Sequence, residues 1–164
     1  LDAEEAWRTG IRLIGAAISV SDDTDRGPSH REWMLLDRRR ARHRLAWAEF
    51  FQSFDVLLCP VTLVAAFPHL QSGYWGDRTV TVDGVARPYL DLEAWLALVG
   101  AAYLPSVSAP VGRVSVGGAS LPVGVQVVAP YLHDHTAIRV AEWLGECTHG
   151  YHPPPIVEAG GESL

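Results

Sequence analysis

Side chains able to do chemistry are sparse in this 164-residue chain, and most lack the neighbours that would put them to work. Gly118-Ala119-Ser120-Leu121-Pro122 comes near the G-x-S-x-G pattern of a hydrolase elbow, which exposes its serine on a strained strand-to-helix turn. Here the fifth residue is proline and the run behind it has strand character, so Ser120 reads as a turn residue. His133 and His135 flank Asp134 in an H-x-H arrangement that would suit a metal on a strand, but no nearby Cys, His or Glu completes three ligands. Asp23, Asp25 and Gly27 hint at a calcium loop whose twelfth position is Met34 where a glutamate is needed, and the stretch reads as a plain turn. Cys59 and Cys147 form no C-x-x-C pair and read as buried free thiols. All thirteen basic side chains are arginine, which excludes lysine-dependent chemistry carried by these residues. No catalytic residue, metal ligand or cofactor site is assigned from the residues themselves.

The elements that would position a site are easier to read. With 48% hydrophobic and 20% charged residues the chain has the composition of one domain, or a large piece of one, with a sizeable core. A net charge of −6 argues against nucleic acid as a partner. No apolar run approaches a membrane span and no signal-like segment is visible, so an intracellular, cytoplasmic setting is expected. Leu1 in place of Met reads as a processed or excised end. A helix is predicted over 1–20, with Asp2 as N-cap and Trp7, Ile11, Ile14 and Ile18 as its apolar stripe. Ser29 and Glu32 form a capping box that opens the longest helix, running to about Phe54. Its arginines, Arg31, Arg38, Arg39, Arg40, Arg42 and Arg44, read as a solvated face with surface ion pairs, and Trp47, Phe51 and Phe54 as its apolar end. A short buried strand over 55–62 follows. Residues 64–87 are the least regular, with one strand at 79–82 and an Asp83-Gly84 turn. A helix is expected over 91–102, with Leu92, Trp95, Leu96 and Val99 on its apolar side. Strands at 106–111 and 122–129 are joined by a link containing Gly112, Gly117 and Gly118, and both faces of these apolar strands should be covered. Asp134 is placed as the cap of a helix over 137–147 that packs through Ile138, Ala141, Trp143 and Leu144, and 156–164 as a frayed tail.

The pattern LPSVSAPVG at 104–112, a glycine-containing link, then LPVGVQVVAPYLHD at 121–134 and a helix resembles the C-terminal part of amidase-signature enzymes, which hydrolyse carboxylic amides. DVLLCPVT at 55–62 is similar to the family's D-x-L-L-x-P-x-T strand. The resemblance implies an α/β fold: part of a mixed β-sheet covered by helices on both faces. It implies acyl transfer by a Lys, a cis-peptide Ser and a nucleophilic Ser, none of which maps onto this chain, so that the catalytic groups would lie in an N-terminal half and this portion would supply scaffold and cleft wall. Two departures are Tyr103, where the family often has glycine, and Ser120, where glycine usually precedes the second Leu-Pro. The expected partners are a small-molecule amide, that N-terminal half and a second copy of the fragment, with no nucleic acid and no membrane. Since open α/β sheets bind ligands beyond the carboxyl ends of strands, Cys59 and Thr62 are candidate substrate contacts, as are Tyr74 and Trp75 in the irregular segment. Glu93 stands where the resemblance to glutamine-using members places an acidic group for the substrate's amine. Two alternatives are carried: the amidotransferase component that releases ammonia from glutamine for tRNA-linked amidation, and a non-catalytic, stand-alone binding module of the same fold.

Overall fold

Helix starts are set by local chemistry. Asp2 accepts a hydrogen bond from the Glu5 N–H at 3.0 Å and opens α1 (Ala3–Ser19), satisfying one of the donors a helix start leaves free. Both halves of the capping box form ahead of α2 (His30–Phe50): Ser29 Oγ accepts from the Glu32 N–H, and the Glu32 carboxylate accepts from the Ser29 N–H. Hydrogen bonds from the Ser29 hydroxyl and then its backbone hold the Glu32 carboxyl below the usual carboxylate range. These features belong to a computed structural model that describes residues 2–20, 27–148 and 150–153. Asp23 and Asp25 of the calcium-like stretch, His149 and the tail at 156–164 lie outside the described residues.

The helices bury faces different from those their large residues mark. On α1 the buried positions are Ala6, Thr9, Gly10 and Ala16, whereas Ile14 and Ile18 are exposed. The cause is close packing: a Cβ on Gly10 would lie 2.6 Å from the Ala97 carbonyl oxygen of α3 (Ala94–Gly100), so only small residues fit there. On α3 the buried residues are Ala97, Leu98 and Val99, and Leu96 faces out. The helix expected over 91–102 is shorter, Ala94–Gly100, because 91–93 belong to a 3-10 turn, Tyr89–Glu93. α2 stops at Phe50, and the stacked rings of Phe50 and Phe54, 4.7 Å apart, continue its aromatic end into the following turn.

β1 (Leu57–Pro60) is an edge strand. Only Cys59 is buried, while Leu58 is exposed, and Pro60 is tolerated because a strand end on an edge needs no further donor. β2 (Thr79–Val82) and β3 (Val85–Pro88) make the expected small hairpin around Asp83-Gly84. The long hairpin extends beyond its apolar cores. β4 (Ser106–Val116) and β5 (Ala119–Val128) are antiparallel and turn at Gly117-Gly118, both with positive φ, which a two-residue turn of matching twist requires. Gly112 is not part of the turn but of a register shift in β4, and Ser120 is a strand residue and not a turn residue. The sheet order is β1-β5-β4, and every pairing within it is antiparallel.

Both faces are covered only at the inner end of the sheet, around residues 127–129; β4, expected as a buried strand, has Ala109 as its one buried residue and is otherwise exposed or half-buried because no helix reaches its outer part. Val128 packs with Ala6, Trp47, Cys59, Leu98, Val99 and Leu104 from the side of α1, α2 and α3. Val127 and Ala129 pack with Ala137, Val140 and Leu144 of α4 (Asp134–Cys147). Successive strand residues point to opposite faces, so an unbroken Val-Val-Ala run buried on both sides is what an α/β layer arrangement demands. On α4 Ala137, Val140, Ala141 and Leu144 pack inward, Ala141 and Leu144 as expected, while Ile138 and Trp143 are exposed, as is Cys147, whose expected burial fails because it lies on the outer face of the last turn. Asp134 is the first helical residue and His133 holds the capping position, with no side-chain hydrogen bond there.

Candidate functional site

The carboxyl end of β1 runs into a bent, irregular segment that walls a groove of about 530 Å³. On one side lie Pro60, Thr62 and Ala65, and on the other Ser108, Pro122 and Val123 of the long hairpin. Among the described residues no charged side chain lines it. Thr62 is held by its hydroxyl, which donates to the Leu92 carbonyl at 3.2 Å. That bond stitches the groove wall to the 3-10 turn that ends on Glu93. The turn is itself anchored by Asp91, a buried carboxylate accepting from Arg87 Nε at 2.7 Å. Glu93 is half-buried at the start of α3, and its carboxylate has no partner among the described residues.

The remaining candidates sit around this edge in different ways. Cys59 is buried beneath the sheet, its sulfur accepting from Gln126 Nε2 at 3.3 Å. Burial pushes its thiol pKa up, only partly offset by the Gln126 hydrogen bond, so it is a packing residue and not a ready thiolate. Tyr74 is exposed, and its carbonyl accepts from the Asp77 N–H across the 3-10 turn Trp75–Asp77. That turn packs on the Tyr89–Glu93 turn, which brings the backbone of Trp75 to the same edge. Of Cys59, Thr62, Tyr74 and Glu93, Thr62 is the one that lines the groove among the described residues.

Asp91 and Gln126 were not singled out from sequence. Gln126 could have been, because a single amide inside the apolar run VGVQVV must find a buried partner. Ser120 offers no elbow: Arg113 Nε donates to its Oγ at 2.8 Å and Arg113 Nη2 to its carbonyl at 2.6 Å, fixing it on the hairpin. Among the described residues no group of three His, Cys, Asp or Glu side chains is placed to hold a metal ion.

The profile of the Amidase family matches residues 16–138. The chain belongs to the amidase family. It is 36% identical over 102 residues to the A-type subunit of glutamyl-tRNA(Gln) amidotransferase from Deinococcus deserti, an overlap of 60% of this chain and 19% of that protein. The corresponding protein of Acidothermus cellulolyticus is 37% identical over 99 residues, covering 60% of this chain and 17% of the relative. The mitochondrial counterpart from Rattus norvegicus is 33% identical over 95 residues, 58% of this chain and 16% of the relative. The overlaps thus span under a fifth of the length of these curated relatives. Two solved structures share the fold. One, from a vestigial protein complex bearing on the origins of an s-triazine catabolic enzyme, superposes with TM-score 0.70 at 21% identity, over 92% of this chain and 35% of that one. The other, a crystal structure of an amidase, gives TM-score 0.60 at 21% identity over 74% and 26%. The α/β fold of this amidase-family chain is therefore that of amidase-signature enzymes, of which it covers a part.

Proposed function

We propose that this chain is the C-terminal portion of an amidase-signature hydrolase that cleaves carboxylic amide C–N bonds, and that it supplies scaffold and one wall of the substrate cleft. The observation that carries the reading is the family match over three-quarters of the chain, joined to a groove at the carboxyl end of β1 where a ligand of an α/β sheet belongs. The chemistry is acyl transfer through a Lys, a cis-peptide Ser and a nucleophilic Ser contributed by an N-terminal half, for this chain has no lysine. The setting assigned to it is cytoplasmic; among the described residues no helix is long and apolar enough to cross a membrane. Thr62 orders the wall, Tyr74 and Trp75 offer flat rings to an apolar amide substituent, and Glu93 stands ready for an amine. Cys59 supports the wall from beneath. Exposed Val114 and Val116 on the outer part of β4 are the surface through which the fragment would seek its N-terminal half or a second copy.

A second reading has its own support. The curated relatives named above are A-type subunits of an amidotransferase, and the unpaired Glu93 carboxylate would suit the amino group of glutamine. The uncharged groove favours a neutral amide.

The test is kinetic. The 164-residue chain alone should turn over no aryl or aliphatic amide. In the polypeptide that joins it to a lysine- and serine-bearing N-terminal half, Trp75→Ala or Glu93→Ala should shift kcat/KM across neutral, aromatic and amine-bearing amides while leaving thermal stability near the parent's. Turnover by the isolated chain that survives repurification and disappears with Ser120→Ala would refute the division of labour. Unchanged preference in both variants would move the specificity wall elsewhere.

A further inference from the structure

Three arginines of α2 are matched by carboxylates: Arg39 and Arg42 lie 3.9 and 3.8 Å from a Glu5 oxygen, and Arg40 pairs with Asp37. Arg44 has no carboxylate partner among the described residues. Its guanidinium packs instead against two phenol rings, 5.3 Å from the Tyr103 centroid and 4.7 Å from that of Tyr131. Rings on a guanidinium hold its plane and leave its in-plane N–H groups free for an acceptor.

The backbone is shaped around these rings. Tyr103 has φ 61 and Leu132, directly after Tyr131, has φ 65, a region that bulky residues avoid. A glycine would relieve position 103, yet a tyrosine stands there and its ring lies on Arg40 and Arg44. Beside Arg44 opens a groove of about 670 Å³ whose walls include Leu45, Phe51, Leu104, Tyr131 and His133 and, among the described residues, no acidic side chain. An unmatched, oriented cation at the rim of an apolar groove selects an anion that carries an apolar body.

We propose that this groove binds a carboxylate borne on a ring-sized apolar group, with Arg44 accepting the charge and Tyr131, Leu45 and Phe51 the apolar part. It shares no wall residue with the groove at the end of β1, so its failure would leave the amide-cleavage reading untouched. The test is calorimetric titration of the 164-residue chain at low ionic strength with phenylacetate, with its neutral counterpart phenylacetamide, and with acetate and inorganic phosphate as bare anions. Phenylacetate should bind at least tenfold more tightly than each of the others. Arg44→Gln should remove that preference, and Arg44 is exposed enough for the variant to fold. Tyr103→Gly, which relaxes the backbone but removes a ring, should weaken phenylacetate several-fold without lowering thermal stability. Arg113→Gln at the hairpin end should change nothing. Equal affinity for acid and amide, bare anions binding as tightly as phenylacetate, or indifference to Arg44→Gln would overturn the proposal.

Discussion

The packing of α1 on α3 makes opposite predictions for two glycines of one helix. Alanine is favoured over glycine inside a helix by about 1 kcal/mol. At Gly15 nothing lies within 4 Å of an added Cβ, so Gly15→Ala should realise that gain and stabilise the chain by about 1 kcal/mol. At Gly10 the same methyl would meet the Ala97 carbonyl oxygen at 2.6 Å and the Ala97 Cβ at 3.0 Å. Neither atom can swing away, because both belong to the packed backbone turn of α3. The helices must separate, and overpacking of this kind costs about 1–3 kcal/mol. A buried glycine pressed on backbone falls toward the upper part of that range, so Gly10→Ala should come out about 1–2 kcal/mol destabilised after the propensity gain. The two variants should differ by about 2–3 kcal/mol, or roughly 4–12 °C in Tm for a domain of this size. Urea unfolding and thermal melts followed by circular dichroism measure both. If Gly10→Ala stabilises as much as Gly15→Ala, α1 does not approach α3 as described.

Stability should also fall with acid through His43. It is buried in α2, burial holds its imidazole below the usual histidine pKa, the nearby Glu5 and Asp2 carboxylates oppose that and Arg42 adds to it, and its Nε2 has no partner. A folded pKa below the unfolded one means the folded state resists the proton. Its contribution is therefore intact above about pH 6.5 and lost as pH falls below that value. Urea midpoints at about pH 7.5 and about pH 5 should separate in the parent and converge in His43→Leu, and equal separation in both would exclude His43 as the group responsible. At the turn that carries Glu93, Arg87→Ala should cost roughly 1–3 kcal/mol by stranding the buried Asp91 carboxylate, more than Asp91→Asn costs. Chemical denaturation of the two variants would show the order, and the reverse order would mean that Asp91 is satisfied without Arg87.

What could be read from sequence divides along the range of the interactions involved. Asp2, Ser29 with Glu32, and Asp83-Gly84 act within three or four residues, and each appears where its spacing places it. The apolar run at 127–129 is short and closed by Pro130, which favours a strand buried on both faces over a buried helix segment such as 97–99, and the structure has it so. The outer hairpin was cut short for the complementary reason. Residues 113–120 are exposed, and the alternation of Val114 and Val116 with Arg113 and Ser115 is too short to mark a strand against the glycines beside it; the pairing of Val114 with Leu121 and Ser115 with Ser120 shows them to be strand. The face of α1 was misassigned because isoleucines mark hydrophobicity, whereas the contact with α3 demands smallness at Gly10 and Ala6. Nothing near the arginines of α2 in sequence marks the rings that lie on them, because Tyr103 and Tyr131 reach Arg40 and Arg44 from links far along the chain.

The groove at the end of β1 was the hardest feature to read. Its walls come from an irregular segment and from a hairpin distant in sequence, and the irregular wall is held by one side-chain hydrogen bond from Thr62 to the Leu92 carbonyl of the 3-10 turn behind it. A carbonyl has no signature in a sequence. Thr62 could be named as a residue near a strand end, but not as the tie that couples the groove to the Glu93 turn. That tie is testable by chemistry the sequence does express. Thr62→Val keeps the shape and removes the donor, so the groove should loosen while the core, carried by Val127 and Val128, stays intact. Backbone amide exchange should then rise at 61–66 and 91–93 with the protection of β5 unchanged. Faster exchange throughout β5 would show instead that the two halves of the groove wall and the core unfold as one unit.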